Sequence, residues 1–237
     1  MKHILIIGGT AGIGRELAAS LLTDGAKITI AGRDSERAKN VARDIQHSVP
    51  DATGQISGIA ADLSKPEGLR EALAGVSSID HLVLVGMVRD ANTIKTYNIA
   101  GALELVTTKT VGYPAAIAAV LDRLSPDGSV LIFGGVAKDI PYPGSTTVTV
   151  VNNAVMGLVK TLSIEITPIR VNAIHPGMVE DSPYWQDDKE LFARMLSRIR
   201  SGRFPQMADI VDGSKFLMSN RAANGVNLTL DGGQNGA

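Results

Sequence analysis

The apolar run His3-Ile4-Leu5-Ile6-Ile7 passes into Gly8-Gly9-Thr10-Ala11-Gly12-Ile13-Gly14, and that turn passes into Arg15-Glu16-Leu17-Ala18-Ala19-Ser20-Leu21-Leu22. The first stretch reads as a buried strand, and the last spaces its apolar residues along one helix face. A strand that turns into a helix through so many glycines leaves few folds open. Glycines let the backbone pass close to a ligand, and the free amides of the helix's first turn point at an anion. The junction is therefore fitted to the pyrophosphate of a dinucleotide.

The rest of the chain repeats the alternation. Strands are expected at 27–31, 55–60, 81–85, 129–133, 169–174 and 226–230, and helices at 35–46, 66–74, 101–124, 146–166, 189–200 and 207–220. Pro126-Asp127-Gly128 reads as the turn into the fifth strand. Thr146-Thr147-Val148-Thr149-Val150-Val151 is β-branched and by itself favours a strand, but the alternation and the residues after it make the segment a helix. Strand and helix in strict succession predict a mainly parallel sheet with helices on both faces.

Length and composition fit one domain over 1–237, with 44% apolar and 20% charged residues. A net charge of −1 argues against nucleic acid or an acidic membrane held by bulk electrostatics. The absence of cysteine excludes disulfides, thiolate catalysis and cysteine-ligated metals, and His3, His47, His81 and His175 show no metal spacing. The leading apolar run is shorter than the roughly seven residues of a secretory core or the roughly eighteen of a membrane span, so a cytoplasmic location is expected. Segment 177–189, rich in proline, aromatic residues and charge, reads as a loop over a site. Its carboxylates Asp187 and Asp188, with Glu190, read as a solvated helix start.

Four motifs in order carry a resemblance to the short-chain dehydrogenase/reductase family. They are Gly8, Gly12 and Gly14; Asp62-Leu63; Arg170-Val171-Asn172-Ala173-Ile174-His175-Pro176-Gly177; and Gly225-Val226-Asn227-Leu228-Thr229-Leu230-Asp231-Gly232-Gly233. The resemblance spans the chain and implies a single Rossmann-type, doubly wound, seven-stranded sheet, assembled as a dimer or tetramer through two long central helices. It also implies cofactor contacts by Gly8, Thr10, Gly12, Ile13, Gly14, Asp62, Leu63, Gly86, Pro176 and Gly177. A carboxylate at the end of the second strand would bind an adenosine ribose and repel a 2′-phosphate. This chain has Gly32 followed by Arg33, whose guanidinium can pair with a 2′-phosphate, so NADP(H) is the expected cofactor. Asp34 reads as a helix cap.

The chemistry departs from the family's pattern. The resemblance places a serine that orients the substrate carbonyl at Gly135, the acid/base tyrosine at Val148, its lysine partner at Asn152 and an asparagine at Lys109. Lysine and asparagine have exchanged places, which suggests that the Lys109 ammonium reaches the nicotinamide ribose from the opposite wall and supplies the positive charge Asn152 lacks, with the Asn152 amide bonded to it or to the sugar hydroxyls. Three residues compete as proton donor. Tyr113 lies four residues beyond Lys109 on the same helical stretch, Tyr142 stands between two prolines after the fifth strand, and His175 titrates near neutrality. Tyr184 and Trp185 fall where the family carries a substrate lid. The expected activity is NADP(H)-dependent oxidation or reduction of a small-molecule carbonyl, alcohol or activated alkene. Slow turnover is expected too, because general acid catalysis contributes about 10²–10⁴-fold. The alternative is a catalytically silent NADP(H)-binding sensor or scaffold; an isomerase or cyclase rests on fold analogy alone.

Overall fold

Seven aliphatic runs form one sheet: β1 (His3–Ile7), β2 (Lys27–Gly32), β3 (Gln55–Ala60), β4 (Ile79–Leu84), β5 (Leu124–Phe133), β6 (Arg170–Pro176) and β7 (Asn227–Leu230). The computed structural model describes residues 1–184 and 189–234. Every pairing is parallel, in the order β3-β2-β1-β4-β5-β6-β7. Strand order reverses between β1 and β4, which opens a crevice at their carboxyl ends, where open α/β sheets bind ligands.

The helices are α1 (Gly12–Thr23), α2 (Ser35–Ser48), α3 (Leu69–Ala72), α4 (Ile99–Val106), α5 (Gly112–Val120), α6 (Thr146–Glu165), α7 (Lys189–Met195) and α8 (Met207–Ser219). Alternate strand residues face opposite layers. Leu5, Leu82, Val130 and Val171 pack with Tyr113, Ile117, Val155 and Val159 of α5 and α6. Ile4, Ile6, Ile28 and Leu131 pack with Leu17, Ile45, Ile210 and Leu217 of α1, α2 and α8. Each fully buried side chain of this size contributes about 1.5–3 kcal/mol. The central strands β1 and β4 are covered on both faces, which is why they read as nearly unbroken apolar runs, whereas the edge strand β3 alternates exposed and half-buried residues.

Several expectations are corrected in detail. Pro126-Asp127-Gly128 is no entry turn: β5 begins at Leu124 and runs through it, with an irregular register against β4 between Ile79 and His81. A Cβ on Gly128 would lie 2.3 Å from the Asp80 carbonyl oxygen, so the bare glycine lets the two strands close up. The long helix expected over 101–124 is broken by a π-helical turn at Thr107–Val111. Pro114 has no N–H to give the preceding turn and its ring crowds the carbonyl four residues back, and a wider turn before it relieves both. The short helix after β3 opens as a 3-10 turn, Pro66–Gly68, and the helix expected over 189–200 ends its α-helical part at Met195.

The β-branched stretch that opens α6 is helical from Thr146 onward. Val148, Val151, Asn152, Val155, Val159 and Leu162 are all buried at helical spacing, and that packing overrides a weak local preference. By length and composition α6 could cross a membrane, but its buried stripe packs against the sheet and α4.

Candidate functional site

The β1–α1 junction and the segment after β4 approach more closely than side chains allow. A Cβ on Gly8, which has φ +98°, would lie 2.2 Å from the Gly86 nitrogen, and one on Gly14 would lie 2.4 Å from the Gly8 carbonyl oxygen. At Gly12 a Cβ would meet nothing within 4 Å, so the start of α1 faces open space. Ile13 beside it packs against the layer of α1, α2 and α8.

Thr10 fills the space above the end of β2. A Cβ on Gly32 would lie 2.8 Å from Thr10 Cγ2, so the carboxylate-bearing residue of an NAD-type site does not fit there without moving Thr10. Arg33 projects outward, 69% exposed, with Nη1 4.0 Å from Glu104 Oε1 of α4. Asp34 caps α2, its Oδ1 accepting from the Arg37 amide at 2.7 Å. Asp62 Oδ1 accepts from the Ser64 amide at 3.0 Å and its hydroxyl at 2.7 Å, an arrangement that fixes the turn after β3. The Leu63 carbonyl oxygen would be 2.1 Å from a Cβ on Gly112, and Leu63 Cδ1 would be 2.9 Å from one on Gly86. The Asp62-Leu63 turn, the β4 segment and α5 are thus interlocked. Gly177, after Pro176, donates to the Leu230 carbonyl at 2.9 Å and lies against Asp231, which places the Pro-Gly turn at the carboxyl end of β6. All of these positions line the carboxyl edge of the sheet.

Lys109 is 2% exposed and stands on the π-helical turn. Its Nζ donates to the Asn152 Oδ1 at 2.9 Å, the Phe133 carbonyl at 3.1 Å and the Gly134 carbonyl at 3.4 Å. Lys109 and Asn152 therefore meet. The three protons of the ammonium are taken by these three oxygens, however, which corrects the expectation that Lys109 reaches out to a sugar. Burial, and then the Arg89 guanidinium, push the amine down to about 7. All three neighbours are acceptors, so only the charged form satisfies them all.

The candidate proton donors separate. Tyr113 does not share a site with Lys109: it is fully buried, and its hydroxyl donates to the Gly86 carbonyl at 2.8 Å. Burial raises its pKa, so the phenol is a strut under the β4 segment rather than an acid/base facing the crevice. His175 is likewise held. Asn227 Oδ1, 2.9 Å from Nε2, can only accept, so Nε2 carries the proton and Nδ1 accepts from the Gly135 amide at 3.3 Å. Burial pushes this imidazole down to about 4, which keeps it neutral near pH 7.

Tyr142 alone of the three is substantially exposed, at 53%, and its pKa is raised by burial of the remainder. Val148 is buried and apolar. Tyr184 lies under the Arg89 guanidinium, 3.6 Å from ring centroid to Cζ. Trp185, Asp187 and Asp188 lie outside the described residues; Glu190 is exposed in the first turn of α7.

Sequence reasoning missed two features. The π-helical turn that aims Lys109 has only Pro114 as a local signal. The seat of His175 beneath Gly134-Gly135 was signalled by the paired glycines: a Cβ on Gly134 would lie 2.2 Å from His175 Nδ1.

Sheet order, the reversal between β1 and β4 and the glycine junction define the doubly wound α/β class. A family model described as enoyl-(acyl carrier protein) reductase matches residues 8–235. The 2-(S)-hydroxypropyl-CoM dehydrogenase 3 of Xanthobacter autotrophicus is 28% identical over 246 residues, covering 97% of this chain and 95% of its own. Human dehydrogenase/reductase SDR family member 4 is 28% identical over 246 residues, covering 98% and 87%. A short chain dehydrogenase from Burkholderia cenocepacia, solved in complex with NADP, is similar at a TM-score of 0.89 and 25% identity, covering 99% of this chain and 98% of that one. The chain belongs to the short-chain dehydrogenase/reductase family.

Proposed function

We infer that this protein is an NADP(H)-dependent oxidoreductase with a non-standard active site, acting on a small carbonyl or alcohol. The observation that carries the cofactor choice is the end of β2, where Gly32 bears no carboxylate, a Cβ there would press on the Thr10 side chain, and Arg33 follows on the surface. The glycine cradle fits a dinucleotide because Gly8, Gly14 and Gly86 let the β1–α1 junction and the segment after β4 close up, and Gly12 leaves the start of α1 facing open space without a side chain. Arg33 would pair with the 2′-phosphate, Asp62 and Leu63 would flank the adenine, and the Pro176-Gly177 turn would border the nicotinamide. The bound nicotinamide supplies or accepts the hydride. The chain's own part is to orient the substrate and hold it dry, with Tyr142 the exposed phenol available at the mouth. The same reading includes a dimer or tetramer, in which Leu103, Val111 and Val150, exposed on the central helical region and α6, would be covered.

A silent sensor or scaffold is the second reading, favoured by the apolar Val148 at the family's acid position. Calorimetric titration with NADPH and with NADH tests the first. NADPH is expected to bind more tightly, and Arg33→Ala to weaken it at least about tenfold through loss of a charge-assisted pair. Binding of neither nucleotide would sink the cofactor assignment. Stereospecific deuteride transfer from labelled NADPH to a product separates enzyme from sensor.

A further inference from the structure

The Asn152 carboxamide has one end fixed and one end free. Its Oδ1 faces the Lys109 ammonium, which has no lone pair, so the orientation of the amide follows from chemistry: Oδ1 accepts and the NH2 group points the other way. That NH2 group makes no hydrogen bond among the described residues, although Asn152 is 2% exposed and is not sealed among the fully buried unpartnered atoms. It lies against bare backbone, with Nδ2 2.9 Å from where a Cβ on Gly135 would stand. Gly135 is the position at which the resemblance expects a serine, and the amide fills the volume that serine's side chain would occupy.

We propose that Asn152 Nδ2 is the hydrogen-bond donor to the substrate's carbonyl oxygen, taking the place of the absent serine hydroxyl, and that Lys109 is the residue that positions it. This rests on the oxidoreductase reading above and adds the group that meets the substrate oxygen. An amide donor aimed in advance at that oxygen stabilises charge developing there without giving up a proton. Fixing the amide through a buried ammonium keeps it from turning its own oxygen toward the substrate. The substrate is accordingly one whose oxygen accepts, a ketone or aldehyde.

The test uses the whole protein loaded with NADP+ and 2,2,2-trifluoroacetophenone as the carbonyl probe, with binding read by 19F NMR. Asn152→Asp keeps the shape and the contact to Lys109 but carries no N–H; it is expected to fold and to weaken the probe about tenfold. Lys109→Met should weaken the probe comparably while changing NADP+ affinity by less than about threefold. Thermal unfolding supplies a readout that needs no ligand. Gly135→Ser should lower the melting temperature of the wild-type protein through its collision with Nδ2, lower it far less in an Asn152→Ala background, and restore probe binding there. Wild-type protein that binds NADP+ but not the probe, or Asn152→Asp binding it as well as wild type, overturns the proposal. Failure to bind NADP+ would defeat the cofactor reading instead, and equal destabilisation by Gly135→Ser in both backgrounds would still overturn the placement of the amide.

Discussion

Tyr113 shows how burial decides the work of a reactive side chain. Four residues after Lys109 it has the spacing of a catalytic pair, yet the two side chains diverge: Nζ goes to Phe133, Gly134 and Asn152, and the phenol to Gly86. The Gly86 carbonyl belongs to the segment that closes against Gly8, so this hydrogen bond fastens the floor of the cofactor crevice. Tyr113→Phe removes it and leaves a partly buried acceptor without this partner, at a cost of about 1 kcal/mol. Urea denaturation is expected to show that loss, while stereospecific transfer from labelled NADPH persists. A variant of normal stability that has lost all transfer would return Tyr113 to the chemistry.

At the scale of elements, α5 is set by what it has to clear. Gly112 opens α5 directly after the π-helical turn, and its bare Cα lies under the Leu63 carbonyl. A methyl group there would be 2.1 Å from that oxygen, a contact with backbone that no rotamer relieves. Gly112→Ala must therefore push α5 and the Asp62-Leu63 turn apart. Overpacking of this kind costs about 1–3 kcal/mol or more. The expected result is a lower melting temperature together with weaker NADPH binding, because in the proposed cofactor site the displaced turn flanks the adenine. Ala substitution at Gly157, inside α6, where a Cβ would meet nothing within 4 Å, is the control: it should not lower the melting temperature, since alanine is the better helix former, and should leave NADPH binding unchanged.

For the whole molecule, buried imidazoles set the acid limit. His81, on β4, bonds Ser129 of β5 at 2.9 Å, and burial pushes it down to about 4, as it does His175 on β6. In the unfolded chain both titrate near 6.5. Between about 6.5 and 4 the unfolded state binds the extra protons, so stability falls as pH falls through that window and levels off below it. Each shift amounts to at most about 3 kcal/mol. Chemical denaturation at pH 7 and pH 4.5 is expected to show a marked loss, and His81→Gln to reduce it. An unchanged pH slope in that variant would mean that His81 takes up its proton equally in the folded and unfolded states.

The order of strands and helices, the glycine cradle, the Asp34 cap and the Gly32-Arg33 step were legible because they depend on residues close in sequence: periodicity, turn chemistry and the absence of a Cβ. Even there the central helix misled, since a π-helical turn depends on how Pro114 and Lys109 are accommodated and leaves the apolar period intact. Which side chains share a site is another kind of question. Lys109, Gly135, Asn152 and His175 come from a helical turn, two strand ends and a second helix, and only the crossing of those elements decided that an ammonium would orient an amide rather than reach a sugar. Local chemistry signalled most of the elements, because periodicity and turn residues lie within a few positions of one another, whereas packing decided the β-branched start of α6. The tertiary structure chose the partners, because a buried polar group must pair with whatever the packing brings within reach.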